Sequence, residues 1–429
     1  MKTRLMLNAA LVAVSIAVLV LTACSPAAAP APAAPPPPVV VERPAEKAPA
    51  PTMAPPPPVA VEGRSGATPQ SAPPSSKTQP GTPVTAGVVD DNQQWSEYLS
   101  YRERNRQLRV KDRDIAERYI VRVVDGSQRP VHDATVQISA GQQLFFEGRT
   151  DAGGQLLFHP RALDPQRQWQ QVSQFTVVAR KGQAQATASF PRSQDERWTV
   201  TLQGAPIAEW AQLDLLFVID ATGSMGDEID KLKATMKVIA DEIAALPEQP
   251  DVRYGLVAYR DRGDQFVVRT WDFTSNLAEF QRTLNALQAC CGGDTPESVN
   301  EALNKSIHTL NWRSENTVRV LLLVADAPPH LDYNEQFSYD TDMIAAVKKG
   351  IKLFPIGASG LDAQGEYIFR QLAQFTGGKF VFLTYAQKGN SSSGAGTETT
   401  HDVTGYSVDT LDRLVVRLVR EELAKLPHR

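Results

Sequence analysis

Three segments of the chain hold oxygen-bearing side chains in a pattern that could bind a hard cation. In "LLFVIDATGSMGDEID", Leu215–Asp230, an apolar run stops at Asp220, and Thr222 and Ser224 follow at alternate positions ahead of a helix-like stretch. "GGDTPESVNEAL" places Thr295 in a glycine-rich loop before another helix, and "VLLLVADAPPH" ends an apolar run at Asp326, where Ala-Pro-Pro stops further extension. Two carboxylates and three hydroxyls suit Mg²⁺, with Mn²⁺ or Ca²⁺ as alternatives, and not zinc or copper. Mg²⁺ retains waters in an octahedral shell, so a carboxylate from a partner can replace one of them. The expected chemistry is therefore binding, not turnover. A metal-assisted hydrolase would require a base or nucleophile beside the ion, and the motif segments contain no Ser/His/Asp or Cys/His arrangement. A capping turn with strand-end aspartates and no metal is the plainer alternative.

Five residues so far apart need a scaffold that brings them together. From Leu213 onward, strand and helix patterns alternate. Strands are expected at 214–220, 253–259, 265–273, 318–326, 351–356 and 380–385. Helices are expected at 226–246, 277–287, 296–310, 341–349, 363–374 and 408–426. Near-continuous apolar strands such as "VRVLLLVAD" imply burial on both faces. The alternation predicts an α/β fold over 212–427, with a doubly wound, mostly parallel sheet whose ligands bind at the carboxyl ends of the strands beside the switch point.

The order Asp-x-Thr-x-Ser, distant Thr, distant Asp resembles the metal-ion-dependent adhesion site of the von Willebrand factor type A (VWA) domain, with Thr222 where the family pattern has Ser. "YRDRGD" (259–264), "GGDTPE" and "DAPPH" are phrases of one subgroup of that family. The resemblance implies a Rossmann-like fold and direct metal bonds from hydroxyls, with Asp220 and Asp326 acting mainly through bound waters. It also implies a protein partner that donates a carboxylate to the metal. In integrin I domains the matching last helix slides when the metal changes ligands. Here plain packing of the 411–423 apolar face is the competing expectation.

Upstream, short β-rich segments between 119 and 204, separated by turn signals, read as a smaller all-β sandwich. Asp125-Gly126, Pro130-Val131, Asp133-Ala134 and Thr150-Asp151-Ala152-Gly153 resemble the carboxypeptidase-regulatory-like family of seven-stranded sandwiches. No chemistry is assigned there, and Asp151 and Gly153 are expected only to form a turn. Residues 93–118 read as a charged helical collar. Nineteen of the 31 prolines fall between Ser25 and Asp90, and "PPPPVVVE" recurs as "PPPPVAVE", so 25–92 is expected to be a disordered linker. Residues 1–24 combine a basic front, an apolar run and "LTAC", the order of a secretory signal. Leu-x-Ala-Cys resembles the bacterial lipobox, which implies acylation of Cys24 and a lipid-anchored, extracytoplasmic protein of the cell envelope, at the outer membrane or cell surface. A net charge of −4 over 429 residues gives no nucleic-acid footprint.

Asp261 and Asp264 are candidates for the second shell or a neighbouring ion. Arg262-Gly263-Asp264 is discounted as a chance tripeptide, and His330 is expected to be a solvated loop residue. Adjacent Cys290 and Cys291 form either a vicinal disulfide or two buried thiols, and a disulfide would stiffen the loop that delivers Thr295. Residues 387–405 are expected to be a mobile loop. The leading function is a tethered, metal-dependent binding or adhesion module. A metal-stabilised envelope scaffold is the alternative.

Overall fold

Leu213, Leu215, Phe217 and Ile219 enter one hydrophobic cluster, while Leu216 and Val218 of the same strand enter another. Successive side chains point to opposite faces, so an unbroken apolar run must be covered on both. The computed structural model describes residues 83–427 except 165, 193–195, 208–210, 228, 248 and 294. The expected signal segment, Cys24 and most of the proline-rich segment lie outside these residues. Among the described residues no helix is long and apolar enough to cross a membrane.

The first half of the chain contains β1 (Thr85–Val89), α1 (Trp95–Arg104), β2 (Tyr119–Val124), β3 (Thr135–Ala140), β4 (Gln143–Arg149), β5 (Gln155–Phe158), the single turn α2 (Pro160–Leu163), β6 (Gln174–Lys181), β7 (Ala184–Pro191) and β8 (Arg197–Thr201). Next come β9 (Gln212–Asp220), α3 (Ile229–Ala244), β10 (Asp251–Tyr259), β11 (Val268–Thr274), α4 (Leu277–Asn285), α5 (Val299–His308) and β12 (Thr317–Ala325). The last elements are α6 (Tyr339–Lys349), β13 (Ile351–Gly357), α7 (Ala363–Thr376), β14 (Phe380–Gln387), β15 (Asn390–Ala395), β16 (Ser407–Thr410) and α8 (Leu411–Leu423).

The large sheet has the order β11-β10-β9-β12-β13-β14-β1-β16, with β15 paired to β14. Strands β10, β9, β12, β13 and β14 run parallel, and β11, β1, β15 and β16 add antiparallel at the margins. Helix α3 buries Ile229, Leu232, Met236, Ile239, Ala240 and Ile243, the three- and four-residue spacing of one helical face. Its face packs in the cluster shared with α4 and α8, and α5, α6 and α7 cover the opposite side. Strands β5-β2-β8 and β4-β3-β6-β7 form two smaller sheets around Tyr119, Phe158, Phe175 and Trp198, with the Tyr119 and Trp198 rings stacked at 4.0 Å.

Three sequence expectations are corrected. Part of the expected 25–92 linker is strand β1, inserted between β14 and β16 with Thr85 opposite both Thr384 and Thr410. Ala86 and Val89 are buried there, and Phe382 lies where a Cβ on Gly87 would be, at 2.5 Å. The expected 387–405 loop contains β15, and β16 follows it. The helix in the 93–118 collar stops at Arg104; the chain beyond it is a tie, with the Lys111 amide donating to Tyr339 Oη at 2.6 Å and Arg113 pairing with Asp340 at 2.7 Å.

Buried ions join the small sheets to the large one. Arg319 donates to both carboxylate oxygens of Asp133 at 3.0 and 3.2 Å. Lys352 bridges Asp151 and Glu422, each at 2.8 Å. Asp151 also closes its own turn by accepting from the Gly153 and Gln155 amides, so it has a role beyond the turn expected of it.

Candidate metal centre

The parallel strands β10-β9-β12-β13-β14 read 2-1-3-4-5 in chain order, which puts the switch point between β9 and β12. Register pairs Ile219 with Val324 and Asp220 with Tyr259. Asp220 therefore ends β9 at the sheet edge where Asp326 follows β12. A 3₁₀ turn, Gly223–Asp227, then carries the chain toward α3.

Asp220 and Thr222 are fully buried. Asp220 Oδ1 accepts from the Thr222 amide at 2.9 Å and from its hydroxyl at 2.7 Å, and the Thr222 and Ser224 hydroxyls are 3.1 Å apart. Asp220 Oδ2 completes no hydrogen bond among the described residues, although the Tyr259 hydroxyl stands close enough to ease its charge. Asp326 is buried, and its charge acts on Asp220 through space. Thr295 is exposed on its loop, and among the described residues no hydrogen bond joins its hydroxyl to the other four.

Electrostatics here are dominated by unrelieved negative charge. Burial, and then the Asp326 carboxylate, push Asp220 up to about 7. Burial followed by Asp220, Asp261, Asp326 and Asp264 pushes Glu297 up to about 9. Glu297 is buried, and its Oε2 completes no hydrogen bond among the described residues. The sequence signal for this Glu is its place two residues after Thr295 in "GGDTPE"; no role was expected of it. Carboxylates buried near one another with open acceptors fit a cation. Among the described residues no three His, Cys, Asp or Glu side chains converge as a metal cluster, and this set takes most of its donors from hydroxyls.

The loops are tied to one another through the backbone. Gly223 N donates to Cys291 O at 2.8 Å, and Cys290 N donates to Ala221 O at 3.1 Å. Cys290 and Cys291 are disulfide-bonded. Gly292 has a φ of +65°, and a Cβ there would lie 2.8 Å from Glu297 Oε1 and 3.0 Å from Thr222 Cβ. Glu297 N donates to Pro328 O at 3.0 Å, which links the Thr295 loop to the segment after Asp326.

Asp261 and Asp264 brace these loops. Asp261 accepts from Ser298 Oγ at 2.9 Å and from Tyr333 Oη at 3.2 Å; Asp264 Oδ2 accepts from the Asp261 amide at 3.2 Å and the Gly292 amide at 2.9 Å. His330 is not solvated as expected. It is buried, stacks on Tyr333 at 3.8 Å, and lies 2.8 Å from Asp332 and 3.4 Å from Asp261. Arg262 pairs with Glu301 and Glu335, so the Arg-Gly-Asp tripeptide is occupied internally.

Over 123 residues the chain is 32% identical to the alpha-protein kinase vwkA of Dictyostelium discoideum, covering 28% of this chain and 19% of that protein. Over 96 residues it is 38% identical to human von Willebrand factor A domain-containing protein 7, covering 22% and 10%. The chain thus spans under a fifth of these curated relatives. Proximal thread matrix protein 1 of the mussel byssus superposes with a TM-score of 0.30 at 16% identity, over 39% of this chain and 41% of that one. Residues 214–337 match the family model described as the von Willebrand factor A domain, and the chain carries that domain.

Proposed function

We propose that this chain binds a divalent cation, Mg²⁺ foremost, through Asp220, Thr222, Ser224, Thr295 and Asp326, and uses it to capture an acidic side chain of a protein partner. The reading rests on the buried Asp220 carboxylate, which keeps an open acceptor while burial and then Asp326 raise the cost of its charge. A bound ion would supply positive charge and an exchangeable position for the partner's carboxylate. This chain's residues would hold that position in place: Thr222 and Ser224 through the turn after β9, Thr295 through the glycine-rich loop, and Asp326 at the end of β12. With Cys24 acylated, the receptor would be displayed from the cell envelope. The activity proposed is binding; the kinase relative shares with this chain a match covering only 19% of its own length.

The same charge cluster also favours a second reading, in which the ion only stabilises an envelope scaffold. Calorimetric titration with Mg²⁺, Mn²⁺ and Ca²⁺, followed by partner pull-down with and without EDTA, separates the two. Heat of binding and EDTA-sensitive capture, both lost in Asp220→Ala, are expected. Heat without metal-dependent capture would leave the scaffold, and no heat with any of the ions would refute the metal reading.

A further inference from the structure

Beside the proposed metal loop lies a second site with the opposite charge. A cavity of about 410 Å³ is bounded by the Ala221 segment, Arg260, Phe266, Arg269, Trp271 and Arg282. That volume lies in the range of small-ligand pockets, about 300–1,000 Å³. Its lining contains three guanidinium groups and no carboxylate. Among the described residues none of the three forms a salt bridge.

Elsewhere the chain supplies its buried arginines with acids. Arg319 is paired with Asp133, Arg370 with Asp91, and Arg118 with Glu196. Arg260 is 5% exposed and has no such partner. Its Nε and one terminal nitrogen donate to Ala221 O at 3.1 Å and Gln288 O at 2.8 Å, and the other lies 3.8 Å from Cys291 Sγ. The Arg260 and Arg269 Cζ atoms lie 4.6 and 4.2 Å from the centre of the Phe266 ring. Arg282 makes only a long contact, 3.4 Å, with a carbonyl of its own helix. Three cations facing one cavity repel one another until an anion enters.

We propose that this cavity receives a second carboxylate of the same ligand whose first carboxylate is taken by the metal, so that the partner segment is acidic at two positions a few residues apart. The inference rests on the metal reading above. Planar guanidinium groups match a carboxylate through paired hydrogen bonds, and Phe266 and Trp271 offer an apolar wall to the side-chain stem. Ala221 connects the two sites, since it lines the cavity and separates Asp220 from Thr222.

The test uses the full chain and a fluorescein-labelled octaglutamate peptide, read by anisotropy with Mg²⁺ or with EDTA. Arg269→Gln with Arg282→Gln removes two exposed cavity charges. Arg413→Gln with Arg420→Gln removes two exposed charges from α8 and controls for net charge. Mg²⁺-dependent binding to the unaltered chain is expected, weakened about tenfold or more in the cavity variant and within twofold of wild type in the control. Equal weakening in both variants, no weakening in either, or no peptide binding to the unaltered chain overturns the inference. Binding that ignores EDTA and Asp220→Asn but falls in the cavity variant sinks the metal reading and leaves an independent anion site. Metal-dependent binding untouched by the cavity variant does the reverse.

Discussion

Replacing Asp220 with Asn should stabilise the metal-free protein. The exchange keeps the side chain's shape and leaves Oδ1 able to accept from the Thr222 amide and hydroxyl, both below 3 Å. It removes a charge whose carboxyl is held at about 7, first by burial and then by Asp326, from an ordinary value of 3.8. A raised acid binds its proton more tightly in the folded chain, so its stabilising share is complete below about pH 4 and disappears as pH rises through about 7. About three pH units correspond to about 4 kcal/mol lost at pH 8, an upper bound once relaxation is allowed. Glu297 titrates in both chains, so their difference isolates Asp220 and its coupling to Glu297. In EDTA at pH 8 the variant should melt on the order of 5 °C higher than the unaltered chain, with the gap closing by pH 4. Mg²⁺ at a hundred times its Kd should add about 2.7 kcal/mol to the unaltered chain and nothing to the variant. A variant that melts lower in EDTA, or still responds to Mg²⁺, would refute this account of the site.

Gly292→Ala places a Cβ at positive φ against Glu297 and Thr222; it should cost about 1–3 kcal/mol in urea denaturation and weaken Mg²⁺ binding in the same preparation. Lys352→Met strands Asp151 and Glu422 without their shared cation, and a loss of about 3–5 kcal/mol is expected at neutral pH. Removing residues 1–92 deletes β1, bares the edges of β14 and β16, and leaves the buried Arg370 without Asp91. A lower denaturation midpoint and concentration-dependent aggregation should follow by light scattering.

The parallel strands, and the placement of Asp220 and Asp326 at one edge of the sheet, were legible because their signals are local. An apolar run that stops at an acid reveals both a buried strand and where that strand ends, as at Asp220 and Asp326. Strand β1 was not legible, because its warrant is a partner 299 residues away, Thr384 opposite Thr85, and its window is dominated by proline and alanine. Strand β15 was missed for the opposite reason: its Asn, Ser and Gly composition suits a loop unless a neighbouring edge needs a partner, while β16 takes up residues 408–410 that were expected to begin the last helix. His330 was misplaced because its burial depends on Asp261, from a loop far away in the chain, as well as on its near neighbour Tyr333. Arg260 belongs to "YRDRGD", yet only the fold shows that it has carbonyls where other buried arginines have acids.

Resemblance to integrin I domains raised the prospect that α8 slides when a ligand binds. This chain holds that helix at both ends. Leu411 N donates to Val84 O at 2.8 Å, immediately after β16 pairs with β1. Near the other end, Glu422 is buried against Lys352, which also holds Asp151 of the small sheets, and Glu421 pairs with Lys379 at 2.9 Å. A one-turn shift, about 5.4 Å, would break the buried Glu422 pair at a cost of about 3–5 kcal/mol and drag Leu414, Leu418 and Val419 out of the core. Reversing a strongly biased two-state equilibrium already demands about 5.5 kcal/mol of differential binding, and one carboxylate exchanging for a water at the metal is a poor source of that much more. On the metal-binding reading the site should therefore be preformed, with ligand capture confined to the loops after β9, β10, α4 and β12. Amide exchange across 411–423 is expected to stay the same when Mg²⁺ and an acidic peptide are added together; faster exchange there would show that the helix does move.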